Sequence, residues 1–173
     1  MTSTVHGALL DVHEVGIVLV GPSGIGKSEC ALELIRRGHR LVADDVVEVR
    51  VQGGTLLGAA PERIRHFMEI RGVGIFYVPD HYGAESVRAQ MSIDLVIRLE
   101  RWREGALYER VGLERPEAEI AGQRRPVLTL PARPGGSMAT VVEVAAREHR
   151  QRGAGIHAAR TLDARLREEM RRP

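Results

Sequence analysis

The sequence predicts an α/β domain folded as one unit. Three observations carry this expectation. An apolar run, Ile17 to Val20, leads directly into a glycine-rich turn, Gly21-Pro22-Ser23-Gly24-Ile25-Gly26-Lys27-Ser28. That turn opens a stretch, residues 28–37, in which Ala31, Leu32, Leu34 and Ile35 recur at helical spacing. The chain has 173 residues, 43% hydrophobic and 28% charged, the balance of one ordinary globular domain at about 150 residues per domain.

The elements follow in order. Residues 7–20 carry two apolar runs flanking His13-Glu14, which predicts a β-hairpin whose second arm is a buried strand. Gly38 stops the helix that follows the glycine-rich turn. Residues 40–51 alternate as a strand interrupted by Asp44-Asp45, and Gly53-Gly54 marks a turn. Pro61 and Glu62 are good first-turn residues and predict a short helix over 61–70. Gly72 and Gly74 then break the pattern. Residues 93–99 predict a strand, with Trp102 a packing residue at its end. Residues 126–131 predict a short strand bounded by prolines, and 132–137 a loop. Residues 139–151 read as strand or helix, and 158–171 as an Arg/Glu-rich helix. Leu162, Leu166 and Met170 form a narrow apolar stripe on that last helix, expected to pack onto the domain's own core.

Composition excludes several classes. No apolar run approaches the ~18 residues of a membrane span. Residues 1–10 lack the charged start and apolar stretch of a secretion signal. Cys30 is the sole cysteine, so no internal disulfide forms, and a cytoplasmic protein is expected. The net charge of +2 is too small to argue for a nucleic-acid partner, and the Arg clusters are interleaved with acids. Of 25 cationic side chains, Lys27 is the only lysine. Lysine is a compact point charge where arginine is a planar fork, so this position is singled out.

Gly21, Gly26, Lys27 and Ser28 match G-x-x-x-x-G-K-[ST] between a strand and a helix, the context that motif requires. Glycines let backbone N–H groups form a concave anion nest. The following helix points its positive end at the anion. Residues 21–28 are therefore the candidate nucleotide-binding loop. Lys27 reaches the terminal phosphates, and the Ser28 hydroxyl ligates Mg²⁺. Asp44 and Asp45 lie 17 and 18 residues after Lys27. They are expected on the strand after the loop helix, beside the loop if the crossover is parallel and right-handed. Consecutive strand side chains face opposite ways, so the two carboxylates would divide two roles. One would deprotonate or orient a hydroxyl and the other face Mg²⁺. A solvated turn pair is the competing reading.

The block HGALLDVHEVGIVLVGPSGIGKSECALELIRRGHRLVADD resembles the catalytic domain of the bacterial HPr kinase/phosphorylase family. GAAPERIRHFMEIRGVGI and ARPGGSMATVVEVAA resemble two further blocks of that family, in the same order. The resemblance spans about residues 6–150. It implies a phosphate-loop α/β domain akin to phosphoenolpyruvate carboxykinase, a mixed sheet with flanking helices. It implies a hexameric, ATP- and Mg²⁺-dependent kinase of a serine on the phosphocarrier protein HPr. It also implies the reverse reaction, in which inorganic phosphate attacks phosphoserine and pyrophosphate leaves.

By the same resemblance, His6, Lys27, Asp45 and Arg110 fall on catalytic positions, with Asp45 the base and His6 placed to position or tune it. Ser28 and Glu69 fall on Mg²⁺-associated positions. The stripe on the last helix acquires an alternative use, docking a neighbouring subunit or the protein substrate. Three departures stand out. Pro22 replaces the family's frequent Asp, Gly74 is followed by Ile75-Phe76-Tyr77 instead of apolar-apolar-Asp, and the late loop reads RPGGS at 133–137 instead of RPGRN. That loop is tied to dephosphorylation, so the reverse activity stays open. The family's usual N-terminal domain is not in this sequence, which leaves a catalytic-domain fragment and a naturally short member both open. Two rival functions also stay open. One is a small-molecule kinase on the same loop, although no arginine-bearing lid segment is evident. The other is a non-catalytic nucleotide sensor.

Overall fold

The computed structural model describes residues 3–133 and 135–171. Its first elements are β1 (Ser3–His6), β2 (Ala8–Val12), β3 (Val15–Val20), α1 (Lys27–Arg36), β4 (Arg40–Ala43), β5 (Val46–Gln52) and β6 (Thr55–Ala59). Then come β7 (Phe67–Ile70), β8 (Gly74–Tyr77), the short α2 (Val78–Tyr82), β9 (Gln90–Ser92) and β10 (Leu95–Arg101). The chain closes with β11 (Glu117–Ile120), β12 (Gln123–Ala132), α3 (Met138–Gly153) and α4 (Ala158–Arg171).

His13 and Glu14 have φ of 52° and 65°, the left-handed backbone that a two-residue hairpin turn requires. They fold β2 antiparallel onto β3 with Val12 opposite Val15. A six-stranded sheet grows outward in the order β11-β12-β10-β3-β2-β4. β3, β10 and β12 run parallel, while β2, β4 and β11 pair antiparallel to their neighbours. This is the mixed sheet with flanking helices that the resemblance implies.

Both faces of the central hairpin are covered, which is why its strands are nearly continuous apolar runs. Leu10, Ile17 and Leu19 face Cys30, Ala31, Leu34 and Ile35 of α1 and Ala139, Val142 and Ala146 of α3. Leu9 and Val18 face the other way, onto Val47, Val49 and Leu56 of a four-stranded sheet ordered β1-β5-β6-β9. The layers are thus helix, sheet, sheet. Residues 139–151 resolve as helix, with the Ser137 hydroxyl capping α3 by accepting the Thr140 N–H at 3.3 Å. Among the described residues no helix is long and apolar enough to cross a membrane.

Three sequence expectations need correction. Residues 61–70 do not form a helix. Only Glu62–Ile64 make a turn of 3₁₀ helix. His66 then turns left-handed at φ 67°, and β7 pairs with β8 as a hairpin. Asp44 and Asp45 are not strand residues. They form the bend between β4 and β5, and that bend lies beside the glycine-rich loop as expected, although β2 lies between β4 and β3. The stripe on α4 does not enter the core. Leu162, Leu166 and Met170 are 56%, 50% and 85% exposed, and no residue of α4 is buried. Trp102 stacks on Tyr108 with ring centroids 5.3 Å apart, and the Arg133 guanidinium lies 4.0 Å over its ring.

Candidate functional site

The glycine-rich turn follows β3 at the end of the sheet opposite the His13-Glu14 hairpin. Gly21 has φ 152°, and a Cβ there would stand 2.5 Å from the Leu99 carbonyl of β10, so only glycine lets the two backbones approach. Gly26, at φ 106°, is the N-cap of α1 with no side-chain cap, which leaves the helix's positive end available to an anion. Lys27 Nζ donates to the carbonyls of Gly21 at 2.7 Å and Pro22 at 3.1 Å. The ammonium therefore lies along the mouth of its own loop.

A cleft of about 400 Å³ opens over this loop, within the range of small-molecule sites. Three other segments wall it. The first is the β1–β2 turn, with His6 and Gly7. The second is the Asp44-Asp45 bend, and the third is the β7–β8 hairpin, through Glu69 and Arg71.

Hydrogen bonds tie these walls to the loop. Ser28 Oγ donates to Asp44 Oδ1 at 3.1 Å, and the Glu69 N–H donates to the same carboxylate. Burial pushes the Asp44 carboxyl above its ordinary range, the two hydrogen bonds pull it back, and the neighbouring Asp45 charge pushes it up again. Arg71 Nη2 donates to Ser23 Oγ at 2.9 Å. Asp45 differs from Asp44 in burial and backbone. Its backbone is left-handed at φ 66°, and the residue is exposed. Its carbonyl accepts the Gly7 N–H at 2.9 Å. His6 pairs with Val46 across β1 and β5, so backbone register alone seats His6 beside Asp45.

His6, Ser28, Lys27, Asp45 and Glu69 therefore meet at one cleft. Arg110 does not join them: it is exposed in the 102–116 connection and outside the cleft lining. Arg71, which as a lone residue reads as one more surface arginine, lines the cleft instead. Its only sequence signal is its place in the EIRGVG block.

The family model described as the HPr serine kinase C-terminal domain matches residues 1–166. The chain belongs to that family. It is 56% identical over 164 residues to the HPr kinase/phosphorylase of Caldanaerobacter subterraneus subsp. tengcongensis, covering 94% of this chain and 54% of that protein. It is 49% identical over 159 residues to the HPr kinase/phosphorylase of Brevibacillus brevis, covering 91% and 51%. The chain spans about half the length of the curated relatives it matches. The structure of the HPr(Ser) kinase/phosphatase from Coxiella burnetii superposes with a TM-score of 0.82 at 32% identity, covering 88% of this chain and 93% of that one. The Coxiella burnetii protein thus shares the layered α/β architecture of this chain.

Proposed function

We propose that these residues form the catalytic domain of a cytoplasmic serine protein kinase that phosphorylates HPr with ATP. The observation that carries this reading is the meeting of Lys27, Ser28 and two unlike carboxylates at one cleft, in a chain of this family. The loop N–H groups, the N-terminus of α1 and Lys27 hold the phosphates. Ser28, Glu69 and Asp44 offer a hydroxyl and two carboxylates, hard oxygen donors that suit Mg²⁺. Bound there, the ion would neutralise phosphate charge.

The two aspartates divide the remaining work by environment. Asp44 is buried and already engaged by Ser28 and the Glu69 N–H, so it orients. Asp45 is exposed at the rim, where a hydroxyl carried on another protein can reach it. It accepts the seryl proton as the oxygen–phosphorus bond forms, and returns a proton in the reverse direction. His6, seated by the β1–β5 register, positions Asp45. Arg110 has a catalytic role only by family resemblance, as does a hexameric assembly that would cover the α4 stripe. Kinship with phosphoenolpyruvate carboxykinase belongs to the same reading.

Incubation with radiolabelled ATP and purified HPr tests the proposal. Phosphoserine on HPr is expected. Labelling of a metabolite in its place would favour a small-molecule kinase, and tight ATP binding with no transfer to any acceptor would favour a sensor. A second incubation, of phosphoserine-HPr with inorganic phosphate, reads pyrophosphate and so tests the reverse activity through the RPGGS loop.

A further inference from the structure

Three side chains of metal-ligating type converge at the opposite end of β3 from the phosphate loop, about 20 Å away at 3.3 Å per residue. His13 stands on the β2–β3 turn, His39 between α1 and β4, and Glu143 on α3. One ring nitrogen from each imidazole and one carboxylate oxygen all lie within 4.8 Å of one another. The two rings meet edge to face, with centroids 4.6 Å apart. Glu143 Oε1 lies 2.7 Å from His39 Nε2, while Oε2 accepts from Arg37 Nη1 at 2.7 Å. One carboxylate oxygen thus faces the imidazoles and the other is gripped from behind, the outer support that oriented metal ligands use. Arg147 Nε donates to His13 Nε2 at 3.2 Å. A guanidinium only donates, so that nitrogen presents a lone pair.

We propose that His13, His39 and Glu143 form a site for a divalent transition metal of the Zn²⁺ class, separate from the phosphate-loop cleft. Two imidazoles and a carboxylate are a borderline donor set suited to Zn²⁺ and not to Mg²⁺. A tetrahedral ion with bonds of about 2.1 Å places its donors about 3.4 Å apart. The Glu143–His39 pair opens slightly from its 2.7 Å separation to admit it, and the half-buried His13 swings inward from the turn. The fourth position opens onto a surface cavity of about 350 Å³ lined by His13 and His39, room for water or an exogenous ligand.

The surrounding arginines do not bar a cation. Arg37 is paired with Glu33 and Glu143, Arg40 with Asp11, and Arg150 with Glu14. Arg147 is exposed and moves into solvent when the ion takes its place on His13. The bound ion joins the hairpin turn, the exit of α1 and the body of α3.

The full chain, stripped with a chelator, is titrated with Zn²⁺ by calorimetry and with Co²⁺ by visible spectroscopy. One equivalent per chain, tetrahedral Co²⁺ absorption bands and a raised unfolding midpoint are expected. His13→Asn removes the imidazole yet tolerates the left-handed turn. It should weaken Zn²⁺ binding roughly tenfold or more while leaving the metal-free midpoint unchanged, and Glu143→Gln should weaken binding likewise. Ser28→Ala, at the phosphate loop, should bind Zn²⁺ as the parent does. Absence of stoichiometric uptake, parent-like affinity in His13→Asn, or loss of the site in Ser28→Ala would each overturn the proposal.

Discussion

The Ser28 hydroxyl donates to the Asp44 carboxylate across 3.1 Å, joining the first turn of the phosphate-loop helix to a bend 16 residues further on. This bond holds a buried carboxylate whose pKa burial has raised. Just above pH 3.8 the folded chain therefore keeps a proton that the unfolded chain releases. Stability contributed by Asp44 falls as pH rises from there through the raised folded value. Asp44→Asn should unfold at a higher temperature than the parent at neutral pH, with the advantage shrinking as pH drops through that window. Scanning calorimetry across pH checks this, and a lower midpoint at neutral pH contradicts it. Phosphoryl transfer should fall in the same variant, because an amide replaces one of the two carboxyl oxygens that Ser28 and the Glu69 N–H hold.

Asp45 carries the opposite expectation. Its side chain is exposed and its backbone left-handed at φ 66°, a conformation asparagine accepts readily. Asp45→Asn should leave the unfolding midpoint unchanged and slow transfer to HPr about 100-fold or more, the usual contribution of a general base. ATP affinity, measured by calorimetry, should not change. Transfer at the parental rate would remove Asp45 from the mechanism.

Gly21 lacks room for any side chain, since a Cβ would stand 2.5 Å from the Leu99 carbonyl. Gly21→Ala should destabilise the chain by about 1–3 kcal/mol, as overpacking does, and should displace the loop from β10. Urea denaturation measures the first effect and nucleotide titration the second.

Cys30 packs between α1 and the sheet, and burial pushes its thiol up from 9.0 to about 12. Only the thiolate is nucleophilic, so the native chain should resist alkylation at mildly alkaline pH and react quickly in denaturant. The sign for stability follows. Above pH 9.0 the unfolded thiol ionises while the folded one does not, so stability falls as pH rises toward the folded value. Mass spectrometry after timed iodoacetamide pulses reads the reactivity directly.

The segments that depart from their local sequence signals do so for local reasons. Pro61 and Glu62 are genuine helix-start residues, and they do start one 3₁₀ turn. The left-handed His66 ends it, and nothing in the short FMEI and GIFY segments separates a strand from a loop until each finds the other. Asp44-Asp45 interrupts an alternating pattern, which signals a break in the strand. It does not say that β2 is inserted between β4 and β3.

The sequence by itself determined the strand, glycine-rich loop and helix that run from β3 into α1, and the hairpin before them. Each of those depends on residues a few positions apart, whose φ angles, helical periodicity and charge act locally. Tertiary structure alone decided which of two adjacent aspartates is buried and which is free. It also decided that Arg71 rather than Arg110 lines the cleft, and that His13, His39 and Glu143 meet at the far end of the sheet. Those outcomes rest on strand order and register, which are set by burying both faces of the central hairpin at once. No short stretch of chain encodes that collective packing.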